Sequence, residues 1–551
     1  MIIGIDVGGT HTDGVLLDGI KAIKTIKIPT IREDLYNSII NAIDNLIENI
    51  EPAEIKRTVL STTITTNAIV QKKTSPVAVV VSSGPGIDPE NFKTGDYYKI
   101  VKGALDHRGR EIEALDKEEL TKTAKEIKDK GILNIALISK FSPRNPEHEN
   151  KKEEIFKFYF DNIFKGHNVS GNLNFPARIN TTWLNASVYD SCKNFFESFK
   201  KSFKERGINS PVHILKADGG TMPLEESINF PAQTIFSGPA ASVMGAIPSS
   251  QKNQDTIILD IGGTTTDIAI LAGGVPVISN GGIKIDGIKT LIRAIETKSI
   301  GLGGDSFVRV ENNTLNIGPE RKGAAMAFGG EYPTPTDAFV FLKKIDRGDF
   351  KQAEKGIKSL SSKLSISPEE TAELIIEKAS EIIVNTFSKM LTELNNKPVY
   401  TLHDFLEGYE IKPEEILVLG GPASVFAKNI EKISGIKTSP VENYSIANAK
   451  GAAMAKPTCS VTLFADTSKK TAYAPEENYM EKIPYNYTGE DAFKKAKSLL
   501  YAKAEKMGAD MKNIEIDTIE NLSFNMIRGF RSSGKNIRIT LQIRPGLVKE
   551  N

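Results

Sequence analysis

Two aspartates at equivalent positions of a repeated pattern are the residues best suited to chemistry in this chain. Asp6 begins the segment Asp-Val-Gly-Gly-Thr-His-Thr-Asp at 6–13, and Asp260 begins Asp-Ile-Gly-Gly-Thr-Thr-Thr-Asp at 260–267. Each follows an apolar run and precedes a Gly-Gly pair, so each is predicted to end a strand beside a turn. Carboxylate oxygens in that position suit a Mg²⁺ ion that also bridges phosphate oxygens. We therefore expect Asp6 and Asp260 to be catalytic and to hold Mg²⁺.

Each copy of the pattern predicts a hairpin with a phosphate-binding turn. Glycines leave backbone N–H groups uncovered, and successive free N–H groups form a concavity that suits a phosphate. The alternative is a tight hairpin in which the aspartate only accepts hydrogen bonds from the turn. Because the pattern occurs twice, at 6–13 and again at 260–267, a clamp on one polyphosphate is favoured over this alternative.

Two further glycine-rich turns complete the predicted nucleotide site. One follows the apolar run that ends at Leu419, where glycines let a flat adenine ring approach the backbone. The other, at 301–305, could contact ribose or phosphate, or could form only a hinge. The residues that we expect to bind the nucleotide are Gly8, Gly9, Thr10, His11, Thr12, Gly262, Gly263, Thr264, Thr265, Gly303, Gly304, Gly420 and Gly421.

Alternating strands and helices are expected to position these turns, which indicates an α/β fold with a largely parallel sheet. Alanine and glycine dominate 237–246 and 448–455, which predict two helices that cross closely at a hinge or, alternatively, pack on a sheet in the ordinary way. The apolar runs predict strands at 2–7, 13–18, 77–81, 132–138, 256–261, 266–271 and 416–419. Amphipathic spacing predicts helices at 34–49, 117–130, 368–395 and 490–507.

Length, charge and cysteine content narrow the class of protein. A chain of 551 residues exceeds a single hydrophobic core and predicts two to four domains. A net charge of +1 argues against a nucleic-acid partner or an anionic membrane surface. Two cysteines cannot build a disulfide framework, and no long apolar run or signal peptide is present. We expect a cytoplasmic protein with no membrane segment.

The order of these parts resembles that of the actin, sugar-kinase and heat-shock-chaperone ATPase superfamily. Within it, the segments 4–13, 62–68 and 178–186, Asp218-Gly-Gly220, the 237–246 stretch and Pro335-Thr-Asp337 are similar to the A-type subunit of the hydantoinase/oxoprolinase family. That family includes N-methylhydantoinase, 5-oxoprolinase and subunits of acetone- and acetophenone-carboxylating enzymes. The similarity extends from residue 1 to about 457.

The resemblance implies two actin-like (ribonuclease H-like) domains around a nucleotide cleft, followed by a small C-terminal α+β domain. The expected ranges are 1–185, 186–457 and 458–551. It also implies an ATP-dependent hydrolase that phosphorylates a carbonyl-derived oxygen of a cyclic amide or an enolised ketone. A B-type subunit, which this chain does not contain, is the expected partner.

Several features leave other functions open. His11 occupies a place where many relatives have an aromatic residue, and 318–330 lacks the cysteine that many relatives have before Gly-Gly, so no metal role is carried over there. The alternatives are a small-molecule kinase of the sugar-kinase type and an actin-like or chaperone-like ATPase switch. Asp13 and Asp267 follow the two turns, and a role in bracing the loop threonines is at least as consistent with that position as catalysis.

Overall fold

The computed structural model describes residues 1–8, 11–31, 34–279, 281–396, 409–528 and 531–548. The strands up to residue 223 are β1 (Ile2–Val7), β2 (His11–Asp18), β3 (Lys21–Pro29), β4 (Arg57–Thr62), β5 (Val77–Ser82), β6 (Tyr97–Ile100), β7 (Ala104–Leu105), β8 (Glu111–Glu113), β9 (Asn134–Ser139), β10 (Asn162–Lys165), β11 (Val212–Leu215) and β12 (Thr221–Pro223). The helices of this part are α1 (Leu35–Ile47), α2 (Ile64–Val70), α3 (Lys117–Asp129), α4 (Glu147–Phe156), α5 (Gly166–Val169), α6 (Phe175–Ser187) and α7 (Tyr189–Glu205).

The first sheet has the strand order β12-β11-β4-β1-β2-β3. β1 pairs with β2 in an antiparallel hairpin and with β4 in parallel, as expected for an α/β domain. Since side chains alternate along a strand, β1 has two distinct faces. Ile3, Ile5 and Val7 pack with α1 and α7 in one core, so Gly4 and Asp6 lie on the opposite face.

A second, separate sheet in this part has the order β10-β9-β5-β6, and all its neighbouring strands are parallel. The sequence pattern places its strands in the same α/β domain but does not separate the two sheets. β5 and β9 are buried along their whole length because α3 and α4 cover one face and α6 covers the other. Such double coverage explains why these strands read as continuous apolar runs rather than alternating ones.

The middle part of the chain contains a third main sheet. Its elements are α8 (Leu224–Asn229), α9 (Ser237–Ala246), β13 (Thr256–Ile261), β14 (Thr266–Ala272), β15 (Val275–Pro276), β16 (Lys284–Ile285), β17 (Ile288–Lys289), β18 (Thr297–Ile300), β19 (Val308–Glu311), β20 (Thr314–Ile317), α10 (Pro335–Phe341), α11 (Phe350–Leu364), α12 (Pro368–Asn395), β21 (Glu415–Leu419), α13 (Ala423–Ser434), β22 (Lys437–Pro440) and α14 (Ala447–Met454). The sheet order is β15-β14-β13-β21-β22, with β18 also paired to β14.

The third sheet repeats the first in topology and register. In each sheet, the first two strands in chain order form an antiparallel hairpin. The first strand of that hairpin also pairs in parallel with a later strand, β1 with β4 and β13 with β21. Asp6 lies opposite Asp13 across the first hairpin, and Asp260 lies opposite Asp267 across the second. The repeated sequence pattern therefore corresponds to a repeated structural unit, which confirms the α/β fold with two related domains.

The predicted small-residue helices are present as α9 and α14, and they cross between the two related sheets. Their alanines share a core with residues of both sheets. At the crossing, a Cβ atom on Gly451 would lie 2.2 Å from the backbone nitrogen of Gly245. A Cβ atom on Gly4 would lie 2.3 Å from the carbonyl oxygen of Ala449. Only glycine permits backbones to approach this closely.

The last part of the chain forms a separate antiparallel sheet with one helix. Its elements are β23 (Ser460–Asp466), β24 (Thr471–Ala474), β25 (Tyr479–Lys482), α15 (Gly489–Lys506), β26 (Ile516–Arg528) and β27 (Arg531–Ile543), and the strand order is β25-β24-β23-β27-β26. The buried residues Ala492, Ala496, Leu500 and Ala504 recur every four positions on α15 and pack on this sheet. β26 and β27 are the longest strands of this sheet, with 13 residues each.

The expected boundaries and the observed elements differ at one place. Residues 185 and 186 lie within α6, and β11 and β12 complete the first sheet. The chain therefore passes from the first sheet to the third between Pro223 and Thr256. This arrangement is not visible in the sequence because β11 reaches β4 by long-range parallel pairing. Among the residues that the structure describes, no helix is both long enough and apolar enough to cross a membrane.

We predict that Gly451→Ala lowers the stability of the two-domain core because the added methyl group would meet the backbone of α9. The expected loss in the free energy of unfolding is about 3 kcal/mol, as for an overpacked core site. Gly489→Ala is the matched control, since a Cβ atom there meets nothing within 4 Å. Thermal unfolding followed by circular dichroism measures both variants. Equal melting temperatures for the two would contradict the close crossing.

Candidate functional site

The two hairpin turns are closed by the same hydrogen bond. The backbone N–H of Gly8 donates to the carbonyl of His11 at 3.0 Å, and that of Gly262 donates to Thr265 at 2.9 Å. Gly9 and Thr10, which we also expect to bind nucleotide, lie outside the described residues. The equivalent turns support the idea that both copies offer the same type of surface to a ligand.

Asp6 and Asp260, the first residues of the two repeated segments, both lie close to the same asparagine. Asp6 and Asp260 lie on the sheet faces that look toward α9 and α14. The side chain of Asn448, in α14, lies close enough to both carboxylates to lower their pKa values by hydrogen bonding. From α9, the Ser242 hydroxyl donates to Asp260 Oδ2 at 2.5 Å. Thus each small-residue helix supplies one polar side chain to a pair of carboxylates from different sheets.

Burial dominates the protonation of this pair. It raises the pKa of Asp6 to about 7, and the charges of Asp13 and Asp260 act in the same direction. Burial also raises the pKa of Asp260, against the opposing effects of Ser242 and Asn448. Carboxyl groups whose ionisation is opposed by burial are suited to a cation, because a cation favours their charged form.

The aspartates that follow the turns have different partners. Asp13 accepts a hydrogen bond from the Lys27 ammonium at 2.7 Å, and burial still raises its pKa. Burial raises the pKa of Asp267 to about 6, while the neighbouring Ser299 lowers it and Asp260 raises it. Bracing of the loop threonines by these carboxylates stays a prediction, because the loop threonine Thr10 lies outside the described residues.

The threonines of the two hairpins divide into buried and exposed groups. Thr12 is buried and shares a hydrogen bond of 3.0 Å with Thr30, and Thr266 donates to the Leu302 carbonyl at 2.7 Å. These two stabilise the hairpins. Thr264 and Thr265 lie exposed at the second turn, where their hydroxyl groups can reach a ligand. His11 is exposed at the first residue of β2.

The turn at 301–305 packs directly on the second hairpin turn. The N–H of Gly304 donates to the Gly262 carbonyl at 2.9 Å, and that of Asp305 donates to Gly263 at 2.7 Å. A Cβ atom on Gly303 would lie 2.5 Å from the Gly262 oxygen. These contacts fix the second hairpin turn against the segment 301–305. Support of that turn is therefore a structural role that accounts for Gly303 and Gly304. Their contact with ribose or phosphate stays a prediction.

The Gly-Gly turn after β21 lies beside the second aspartate. Gly420 has a φ of +100°, and a Cβ atom there would lie 2.2 Å from the Ile261 carbonyl oxygen and 3.0 Å from Asp260 Oδ1. Gly421 has open space around its Cβ position. The turn therefore joins the carboxylate site on one side and leaves room beside the backbone on the other, as an adenosine site requires.

The residues of this cleft fit a Mg²⁺ ion. Asp6 and Asp260 supply hard carboxylate oxygens, and the buried Oδ1 of Asn448 has no hydrogen-bond partner among the described residues. Over the described part of the chain, no group of three or more His, Cys, Asp or Glu side chains could hold a metal. One or two carboxylates are nevertheless the usual protein share of a Mg²⁺ site that also binds phosphates and water.

Sequence reasoning did not identify Ser242 and Asn448 as site residues. Both lie in segments singled out only for their small residues. A polar residue within such an alanine- and glycine-rich stretch is the signal that could have found them. Other motifs of the resemblance serve the scaffold: Asp337 caps α10, and the buried Arg178 donates to the carbonyls of Ser139 and Lys140.

Two sheets of equal topology with paired hairpins define an actin-like fold. The sequence comparisons then identify the family: residues 178–461 match the profile described as Hydantoinase/oxoprolinase, and residues 2–160 match its N-terminal region. Because the first match alone covers more than half of the chain, this protein belongs to the hydantoinase/oxoprolinase family.

Two individual relatives each share less than 30% sequence identity with this chain. An uncharacterized protein of Methanocaldococcus jannaschii is 29% identical over 73% of this chain and 66% of its own length. The caprolactamase subunit alpha of Pseudomonas jessenii is 25% identical over 63% of this chain and 55% of its own length. The chain thus spans less than two thirds of the length of these relatives. The crystal structure of ATP-dependent caprolactamase from Pseudomonas jessenii has a TM-score of 0.75, with 19% identity over 100% of this chain and 88% of that one, and it shares the fold.

The raised pKa of Asp6 predicts a specific pH dependence of stability. The folded protein keeps a proton up to about pH 7 that the unfolded chain releases near pH 3.8. Stability from this group is therefore present below pH 3.8 and lost as the pH rises through 7, by about 4 kcal/mol in total. Asp6→Asn has no carboxyl group to ionise at this position, so it avoids this loss of stability. The difference in melting temperature between Asp6→Asn and the wild type should therefore shift in favour of the variant as the pH rises from 5 to 8.

The exposed Asp18 at the other end of the same hairpin provides the control. Asp18→Asn should melt in parallel with the wild type at every pH. If the Asp6→Asn curve also ran parallel to the wild type, the buried, proton-holding carboxyl would be ruled out.

Proposed function

We propose that this protein is an ATP-dependent enzyme that phosphorylates a carbonyl-derived oxygen of a cyclic amide, of the hydantoin or 5-oxoproline type, so that the ring can be hydrolysed. The observation that carries the proposal is the meeting of Asp6 and Asp260 around Asn448 between two equivalent glycine turns. Family membership supports the substrate class, since caprolactam and 5-oxoproline, after which relatives are named, are both cyclic amides.

The proposed arrangement places a single ATP across the cleft. The two glycine turns face its phosphates with backbone N–H groups, and Thr264 and Thr265 add hydroxyl donors. The turn at Gly420 and Gly421 takes the adenosine part. Clamping from both sides fixes the direction of the terminal phosphate, and such positioning is the main contribution that a protein makes to phosphoryl transfer.

Phosphorylation solves a particular chemical problem of amides. An amide carbonyl is a poor electrophile because its nitrogen donates electron density to it. When the carbonyl oxygen takes the terminal phosphoryl group of ATP, ADP leaves, and the new phosphate ester is a good leaving group. Water can then open the ring and release inorganic phosphate. A closed cleft between the two domains keeps water from the ATP before the amide binds.

Asp6 and Asp260 would hold Mg²⁺ in this site. The bound ion would neutralise charge on the phosphate oxygens as the phosphoryl group moves. Ser242 and Asn448 orient the two carboxylates from α9 and α14. These two side chains are therefore positioning residues, and the carboxylates are the groups that would contact the ion.

A B-type subunit is the proposed partner for the hydrolytic step. One relative, the caprolactamase subunit alpha, is itself named as a subunit. In this proposal, the chain described here supplies the activated amide, and the partner completes ring opening.

We predict that Asp260→Asn lowers substrate-stimulated ADP release by about 100-fold or more, because the protein loses a carboxylate that would hold the Mg²⁺ ion beside the phosphates. The assay combines the purified protein with a B-type subunit of the same family and uses lactams, hydantoins and ketones as candidate substrates. Asp346→Asn, an exposed carboxylate far from the hairpins in sequence, is the control and should retain full activity. Full turnover by a folded Asp260→Asn protein would refute the assigned site.

The same assay separates the proposed hydrolase from a small-molecule kinase of the sugar-kinase type. A hydrolase should release ADP, inorganic phosphate and an opened amide in equal amounts. A stable phosphorylated product that accumulates without a partner subunit, detected by mass spectrometry, would favour the kinase. ATP turnover with no dependence on any small molecule would favour an actin-like or chaperone-like switch.

A further inference from the structure

A second cavity, of about 560 Å³, lies where the C-terminal domain meets the first two domains. It is separate in its lining from the hairpin turns and from Asp6 and Asp260. Residues from α5 and α6, from the segments 216–233 and 291–293, and from 458–478 and α15 line it. A ligand in this cavity would therefore contact all three parts of the chain at once.

Most charges on the cavity wall are already paired. Lys216 lies 3.0 Å from Asp218, Lys503 lies 2.5 Å from Glu477, and Lys506 lies 2.9 Å from Glu226. Each of these ammonium groups thus has its own carboxylate. The remaining charged residues of the lining are Arg293 and Glu476.

Arg293 is the exception to this pairing. Its Nε and Nη2 atoms are buried and have no hydrogen-bond partner among the described residues. The nearby acid Asp218 accepts from the Lys216 ammonium, the Gly220 N–H and the Thr458 hydroxyl. The nearby Asp517 accepts from Arg544. Since buried guanidinium donors are costly to leave unsatisfied, this group requires a partner.

Glu476 does not provide the missing acceptor. Its carboxylate accepts the backbone N–H of Gly171 and makes no hydrogen bond to Arg293 among the described residues. The carboxylates of the wall therefore leave the buried guanidinium donors of Arg293 without an acceptor. A carboxylate on a ligand would supply one, because the planar fork of a guanidinium matches the two oxygens of a carboxylate.

The rest of the lining suits an organic molecule rather than an inorganic ion. Met222, Phe230, Ala232, Leu291, Ile292 and Met507 supply apolar surface. Asn168 adds a buried amide oxygen that has no partner among the described residues. Apolar walls with a few convergent polar groups are typical of small-molecule sites.

We propose that this cavity binds a small organic carboxylate, whose carboxyl group pairs with Arg293 and whose apolar part lies against the domain junction. The inference does not depend on the proposed ATPase function. Binding would stabilise the contact of the C-terminal domain with the other two domains, because all three contribute to the wall.

Isothermal titration of the full chain with acetate, hexanoate, benzoate and succinate tests this site, each beside its neutral amide. We expect at least one carboxylate to bind saturably, and its amide to bind at least about 10-fold more weakly, because the charge-assisted pair is lost. Absence of saturable binding, or equal binding of acid and amide, would overturn the proposal.

Variants then locate the binding. Arg293→Gln should weaken the carboxylate by about 30-fold or more. Ala502→Trp, at an exposed position of α15 that lines the cavity, should block it without removing any buried group. Arg309→Gln, an arginine of the middle domain outside the cavity, is the control and should bind normally. Unchanged affinity in both cavity variants would show that the carboxylate binds elsewhere as an adventitious additive only.

Discussion

The backbone contact between α9 and α14 is the constraint on which the rest of the structure depends. At Gly245 and Gly451 the two helices approach so closely that a Cβ atom on Gly451 would lie 2.2 Å from a backbone nitrogen. Because the helix pair also packs on both related sheets, this crossing sets the distance between the sheets. It thereby decides that two aspartates, far apart in sequence, share one asparagine.

The site follows from this crossing together with the alternation of side chains along a strand. On β1 and β13 the aliphatic residues alternate away from the helix pair, so the aspartates turn toward it. Burial on that face raises the pKa of both carboxyl groups, and Ser242 and Asn448 only partly offset the effect. Ionisation of these two carboxyl groups is therefore costly, and a bound cation would favour their charged form. The packing of the two helices thus determines the protonation behaviour of Asp6 and Asp260.

Much of this could be predicted from the sequence because the signals are local. The repeated Asp-x-Gly-Gly-Thr pattern predicted both hairpins, and the predicted helices at 34–49, 117–130, 368–395 and 490–507 are present with small shifts at their ends. Features that need long-range pairing could not be predicted: the separate parallel sheet around β5 and β9, the return of β11 to the first sheet, and the bridging role of Asn448. The cavity around Arg293 also has no local signal, since its wall comes from three parts of the chain.

The central claim is that the two glycine hairpins act together on one nucleotide. Isothermal titration of the intact protein with a non-hydrolysable ATP analogue, with and without Mg²⁺, tests it most directly. We expect one analogue per chain, tighter binding with Mg²⁺, and loss of that Mg²⁺ effect when either Asp6 or Asp260 is replaced by asparagine. Two analogues per chain, or a Mg²⁺ effect that survives both replacements, would contradict it.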